Sequence, residues 1–253
     1  MTFSFATWNI LANSYINPAW YPRTPTHVFE PRWRMPALVR HAASLGVDLL
    51  CLQEVEADVF AAFQEGLSAQ GYSGMFEKKK GTRPDGCAAF FRTDRFTILH
   101  QDCLAYTDGS NHIAQMLRFR HTDRELAIAN THLKWHPYGT PLESQVGNVQ
   151  VLEILQALAP ADARIICGDL NASPDSDVVS TLRTADFDYT HRLSPETHTC
   201  NSNAEAKLID HIFYNGALSM EPLPTPRIDA ETPLPSPEHP SDHLPLIARF
   251  TWR

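Results

Sequence analysis

Short apolar runs that end in polar residues of the catalytic kinds constrain this chain more than any other feature. Phe3–Thr7 runs into Trp8-Asn9, Asp48–Leu52 into Gln53-Glu54, Glu125–Asn130 into Thr131-His132-Leu133, and Arg164–Cys167 into Gly168-Asp169-Leu170-Asn171. Two further clusters, Ile209-Asp210-His211 and Ser241-Asp242-His243, follow in the last fifth of the chain. Strands that end in such residues are expected to bring them together at one edge of packed sheets. A mouth lined by Asn, Glu, Asp and His is costly to build unless something binds there.

The stretches between these runs supply the rest of the architecture. Apolar periodicity predicts helices over Trp33–Leu45, with Leu38, Ala42 and Leu45 near one face, and from Asp58 as cap through Gln70, with Val59, Phe60, Phe63 and Leu67 inside. Pro141 suits the first turn of a helix running to Leu158, with Leu142, Val146, Val149 and Leu152 on one side, and Asp177–Thr184 reads as a shorter helix. Further strands are expected at Val47–Leu52, Cys87–Arg92, Phe96–Cys103, Gln115–Arg120, Ile209–Tyr214 and Leu246–Trp252. Glu221–Pro240 carries seven prolines and reads as a loop. Hairpin-like and crossover-like spacings together indicate α/β or α+β with mixed sheets. With 253 residues and no internal repeat, we expect one domain over 1–253.

Composition removes several classes. A 43% apolar share with 20% charged residues excludes a disordered chain. No apolar run approaches the roughly 18 residues of a membrane span. The opening Met1-Thr2-Phe3-Ser4-Phe5 lacks the basic and apolar segments of a signal peptide. The five cysteines are scattered with no Cys-x-x-Cys pair, which argues against zinc clusters and a disulfide framework and for a reducing, cytoplasmic setting. A net charge of −8 argues against stable binding of duplex DNA.

Each cluster alone has an ordinary reading. Asn9 suits a turn, Glu54 a surface or capping carboxylate, Gly168–Asn171 a strand exit, and His132 a structural role. Their joint occurrence in this order points to chemistry. Asn9, Glu54 and an Asp are hard oxygen donors suited to Mg²⁺, whereas zinc normally recruits more closely spaced His or Cys. Asp169 and Asn171 are placed to hold a water, and a His to stabilise charge on phosphoryl oxygens. The sum is metal-assisted phosphoester hydrolysis.

The ordered series Trp8-Asn9, Gln53-Glu54, Thr131-His132-Leu133, Gly168-Asp169-Leu170-Asn171, Ile209-Asp210-His211 and Ser241-Asp242-His243-Leu244-Pro245 resembles that of the endonuclease/exonuclease/phosphatase superfamily, over residues 8 to 245. Trp33-Arg34, Asp48–Val55, Pro84-Asp85-Gly86-Cys87-Ala88 with Phe90-Phe91, and Asp210–Tyr214 make the deadenylase-like branch of Ccr4-type nucleases, nocturnin and Angel proteins the most similar. His211 departs from the Tyr usual in that branch. The resemblance implies a DNase I-like four-layer sandwich of two mixed sheets flanked by helices, with a Mg²⁺ site (Mn²⁺ able to substitute) at one edge. It implies Glu54 as main metal ligand beside Asn9 and Asp242, and Asp169 with Asn171 positioning the attacking water. His132 and His243 are implied at the scissile phosphate, with Asp210 fixing a catalytic His.

For substrate, the basic run Lys78-Lys79-Lys80 with Arg83 reads as a solvated loop or as a phosphate-steering one, which would place Lys80 and Arg83 beside the substrate. Trp135 reads as packing under a loop or as a base-stacking platform, and Asn111 is a further candidate facing the site. The expected activity is a monomeric, metal-dependent hydrolase of RNA 3′ ends or small adenine nucleotides. Alternatives are an abasic-site DNA endonuclease, a phospholipid phosphodiesterase, or a binding module on an inactive fold.

Overall fold

Alternate residues of the central strands pack to opposite sides, and this separates the layers. In β1 (Thr2–Asn9), Phe3 and Phe5 join the core between the sheets while Ala6 and Trp8 join a second core under helices. β2 (Leu49–Glu56) repeats the division, with Leu49 and Cys51 inside and Leu50 and Leu52 outward. The computed structural model describes residues 1–137, 139–141, 144–191, 197–202 and 205–253.

The remaining strands are β3 (Tyr72–Lys78), β4 (Asp85–Arg92), β5 (Phe96–Ala105), β6 (Ile113–His121), β7 (Arg124–His132), β8 (Ala163–Asp169), β9 (Asp188–Tyr189), β10 (Cys200–Ser202), β11 (Glu205–Lys207), β12 (Asp210–Gly216), β13 (Leu218–Pro222) and β14 (Leu246–Trp252). One six-stranded sheet has the order β13-β14-β1-β2-β4-β3 and the other β5-β6-β7-β8-β12-β9, with β10 and β11 paired on their own. Only β1–β2 and β7–β8 are parallel among the described pairs, so both sheets are mixed. Helices α1 (Pro31–Leu45) and α2 (Ala57–Ser68) cover the first sheet through Leu38, Ala42, Val59 and Phe63. Helices α3 (Gly147–Ala157) and α4 (Asp177–Thr184) cover the second through Val151, Ile154, Val179 and Leu182. This is the expected four-layer sandwich.

Several local expectations change. α1 starts at Pro31 rather than Trp33, with proline in its first turn where a missing N–H costs nothing. α2 begins after Glu56, and Asp58 sits in its first turn instead of capping it. α3 begins at Gly147, not Pro141, and buries Gly147, Gln150, Val151 and Ile154, leaving the expected core residues Val149 and Leu152 exposed. Leu142 lies outside the described residues. Strand β3 was not legible because it is an edge strand whose residues are mostly half-buried, so its pattern does not alternate. The proline-rich segment begins inside β13. All five cysteines are free, and no helix of the described residues is long and apolar enough to cross a membrane.

Candidate active site

The parallel pairs bring their carboxyl ends to one edge. Asn9 lies opposite Gln53, and His132 opposite Asp169. The antiparallel β12 presents its first residue, Asp210, opposite the last residue of β8, Asp169. Two backbone features aim the side chains. The register of β2 shifts between Gln53 and Val55, and Glu54 there has φ 58°, a bulge that turns its carboxylate toward this edge. Gly168 has φ 135°, and a Cβ there would lie 1.8 Å from the Thr131 carbonyl oxygen, so only glycine lets β7 and β8 approach closely just before Asp169.

Asp169 is the hub. Its Oδ2 accepts from Asn9 Nδ2 at 2.9 Å and lies 3.6 Å from His132 Nε2 and 3.7 Å from His243 Nε2. Its Oδ1 accepts the Asn171 backbone N–H at 2.9 Å, and Asn171, held at φ 47°, donates its side-chain amide to the Leu133 carbonyl at 3.0 Å. Glu54 Oε1 accepts from Asn9 Nδ2 at 3.1 Å and lies 3.7 Å from His132 Nδ1, while Oε2 accepts the Ala12 N–H at 2.8 Å. His243 Nδ1 stands 2.8 Å from Asp210 Oδ2, which also accepts from Thr199 Oγ1 at 2.6 Å. Asp242 Oδ2 accepts the Tyr21 hydroxyl at 2.8 Å.

A buried frame fixes the 241–243 turn. Ser241 Oγ donates to the Asn9 carbonyl at 2.7 Å, and Trp8 Nε1 donates to the His243 carbonyl at 2.8 Å. Arg34, almost fully buried, donates to the carbonyls of Pro240, Ile10 and Leu11 and to Asn13 Oδ1. That clamp gives Arg34, to which no role was attached from sequence, a structural one.

Burial sets the protonation states. It pushes Glu54 up, and burial followed by the neighbouring Asp210 charge raises Asp169 to about 7. The two histidines diverge. Burial and then Lys79 hold His132 well below its usual value, so it is neutral. Burial also opposes charge on His243, but Asp210 and its other anionic neighbours outweigh it, and His243 rises well above the usual histidine range.

Glu54, Asp169, Asp210 and Asp242 are four buried carboxylates around this centre. The nearby Lys79 ammonium is already paired with Asp85 Oδ2 at 2.7 Å. Asp210 Oδ1 and Asp242 Oδ1 are buried without a hydrogen-bond partner. Excess negative charge, oxygen donors and partnerless buried oxygens fit a divalent cation. Asn9 meets the carboxylates with its NH₂ group while its Oδ1 accepts the Leu11 N–H, so it ties Glu54 to Asp169 in this arrangement.

Beside His132 opens a pocket of about 500 Å³ lined by Ser14, Tyr15, Trp20, Lys79, Arg83, His112, Lys134 and Trp135. Arg83 and Trp135, two of the residues considered from sequence for substrate contact, line this pocket. Lys80 is exposed and does not line the pocket, and the Asn111 carbonyl accepts the Lys80 backbone N–H at 2.9 Å, away from the lining. Lys79 takes the place inside, with Nζ 3.4 Å from His132 Nδ1. Sequence reasoning also missed Trp20, Lys134 and His112. Trp20 sits on a one-turn 3₁₀ helix (Pro18–Trp20) with no periodic signal.

The sequence profile of the Endonuclease/Exonuclease/phosphatase family matches residues 6–243. The chain belongs to this family of enzymes. Among its relatives in the family, rat Nocturnin is 30% identical over 278 residues, covering 97% of this chain and 64% of Nocturnin. The CCR4-Not complex 3′-5′-exoribonuclease subunit Ccr4 of Candida glabrata is 25% identical over 322 residues, covering 99% of this chain and 37% of that protein. Mouse 2′,5′-phosphodiesterase 12 is 25% identical over 314 residues, covering 98% and 51%. The chain therefore spans roughly one to two thirds of the length of these relatives. The human Nocturnin catalytic domain with bound sulfate anion superposes with TM-score 0.79 at 26% identity, over 100% of this chain and 94% of that one. ANGEL2, a 2′,3′-cyclic phosphatase, in complex with adenosine-2′,3′-vanadate shares the fold with TM-score 0.84 at 21% identity, over 99% and 95%.

Proposed function

We propose that the chain is a single-domain, Mg²⁺-dependent phosphoesterase that hydrolyses RNA 3′ ends or small adenine nucleotides. The observation that carries this reading is the convergence of Asn9, His132 and His243 on one oxygen of Asp169, with Glu54 tied to the same Asn9. Glu54 and Asp242 hold the cation with Asn9 beside them, and the bound ion supplies charge neutralisation at the phosphate and a lowered barrier to water attack. Asp169 is poised to accept the proton of the attacking water, which Asn171 helps to hold. His243, held charged against Asp210, stabilises negative charge on the phosphoryl oxygens. His132, neutral, is set with Lys79 and Glu54 at its Nδ1 and Asp169 at its Nε2, as a hydrogen-bonding group for the phosphate.

The substrate reading rests on the pocket wall. In a chain of net charge −8, Lys79, Arg83 and Lys134 line it with no carboxylate among its described lining residues, and two exposed indoles, Trp20 and Trp135, stand with them. A phosphate next to a free base suits such a wall, since an unstacked base gains about 1–3 kcal/mol on an aromatic. Duplex bases must first be peeled out, so stable duplex binding is not expected. The free cysteines suit a reducing, cytoplasmic setting, and the site is complete within one chain, which suits a monomer. The test is a kinetic comparison of oligoadenylate, dinucleotide phosphates, abasic duplex and phospholipid, with Mg²⁺ and with EDTA. Turnover of the first two with Mg²⁺ alone supports the reading. Faster cleavage of the abasic duplex or the phospholipid, or full activity in EDTA, overturns it.

A further inference from the structure

Beside His243 lies a second group of ligand atoms, which shares Asp242 and His243 with the candidate active site and adds Cys200, a residue with no part in the proposed hydrolysis. Cys200 and His243 form an isolated antiparallel bridge, and the Asn201 N–H donates to the Asp242 carbonyl at 3.0 Å, which lashes 200–201 to 242–243. The Cys200 sulfur, a carboxylate oxygen of Asp242 and a ring nitrogen of His243 lie within 4.8 Å of one another. All three residues are buried, at 1%, 5% and 6% exposure. Asp242 keeps Oδ1 buried and without a partner, while Tyr21 steadies Oδ2. The thiol makes a long 3.9 Å contact to Ser202 Oγ and faces the His243 ring.

We propose that Cys200, Asp242 and His243 form an inhibitory site for a thiophilic divalent cation, Zn²⁺ above all. Sulfur, imidazole and carboxylate are the three ligand types of zinc, at about 2.3, 2.0 and 2.0–2.2 Å, whereas Mg²⁺ has no use for the sulfur. Small inward shifts of three side chains close the triangle on the ion, with water as fourth ligand. On binding, the Cys200 thiol and the His243 imidazolium each release one proton to solvent, and the thiolate sulfur and the freed ring nitrogen form the bonds to zinc. The ion withdraws His243 from the phosphate and competes for Asp242. The chain thereby distinguishes a hard cation, which supports its chemistry, from a soft one, which stops it. No cysteine spacing in the sequence announces this site, because its ligands meet only across the bridge.

The site itself is independent of the substrate reading, and only the inhibition arm rests on it. The full chain, freed of metal, is titrated with Co²⁺, whose thiolate complexes show a sulfur-to-cobalt charge-transfer band, and Zn²⁺ is then added to displace it. The wild type is expected to show the band and lose it to Zn²⁺. Cys200→Ser is expected to lack the band and to bind Zn²⁺ at least about tenfold more weakly, since even the supporting partner of a ligand is worth about 10–100-fold. With Mg²⁺ present, Cys200→Ser should keep wild-type turnover while its Zn²⁺ inhibition moves to correspondingly higher concentration. Cys200→Ala provides the same comparison if the serine variant folds poorly. A wild type without the band, or a Cys200 variant with unchanged Zn²⁺ affinity, overturns the proposal.

Discussion

Asp210 Oδ2 stands 2.8 Å from His243 Nδ1, and the other ring nitrogen of His243 points to Asp169 Oδ2 at 3.7 Å. Asp210 therefore orients the histidine and is the foremost of the anionic neighbours that favour its charge. Removing His243 as alanine should lower kcat by roughly 10²–10⁴ with little change in KM, the range for a group acting on transition-state charge. Asp210→Asn should lower kcat as well and move the alkaline limb of the pH–rate profile to lower pH, because an amide no longer favours the imidazolium. Single-turnover kinetics on both variants checks this, and a His243→Ala enzyme within fivefold of wild type would remove His243 from the chemistry.

Glu54 holds Asn9 and the Ala12 N–H, so its isosteric replacement is the clean test of the cation. Glu54→Gln should keep a folded protein, lose Mg²⁺ affinity by calorimetry and lose activity with it, and EDTA should abolish wild-type activity until Mg²⁺ or Mn²⁺ is restored.

Lys79 and its neighbours should behave very differently. The Lys79 and Asp85 side chains are 1% and 0% exposed, and the Tyr15 hydroxyl donates to the second oxygen of Asp85 at 2.7 Å. Lys79→Ala leaves a buried carboxylate without its cation and should cost about 3–5 kcal/mol in urea unfolding, besides releasing His132. Lys78→Ala and Lys80→Ala, at exposed positions, should stay within about 0.5 kcal/mol of wild type.

Trp20→Ala and Trp135→Ala should each raise KM for a nucleotide by about 5–150-fold, the equivalent of about 1–3 kcal/mol of stacking, with kcat little changed. Quenching of indole fluorescence on titration with adenosine monophosphate reads the same contact without catalysis. Unchanged KM in both variants would place the base elsewhere.

His41 packs against the Trp8 ring at 5.0 Å, and burial, then His239, lowers it from about 6.5 to about 4. The folded state thus binds fewer protons than the unfolded chain between these values. The stability this histidine contributes is complete above pH 6.5 and is lost as pH falls toward 4. Denaturation at pH 7 and pH 5 should show a drop that His41→Gln makes smaller.

How much of this was legible in the sequence depends on the range of the interaction. The short apolar runs and the polar residues that end β1, β2, β7 and β8 depend on nearest neighbours along the chain and indicated mixed sheets with polar groups at one edge, and the ordered series from Asn9 to His243 carried the resemblance that implied the four-layer sandwich. The tertiary structure decided whatever depends on a partner far along the chain. It selected Lys79 over Lys80, because Asp85 and His132 meet only one of the two ammonium groups. It turned α3 so that Gln150 faces inward and Leu152 outward, since Gln150 Nε2 donates to Asp108 Oδ2 at 2.7 Å and its Oε1 accepts the Lys134 N–H at 3.0 Å. It brought Cys200 to His243 and Trp20 to Trp135. Residue type and spacing encode which groups a chain owns and which face of an element they occupy, but only packing in three dimensions pairs them.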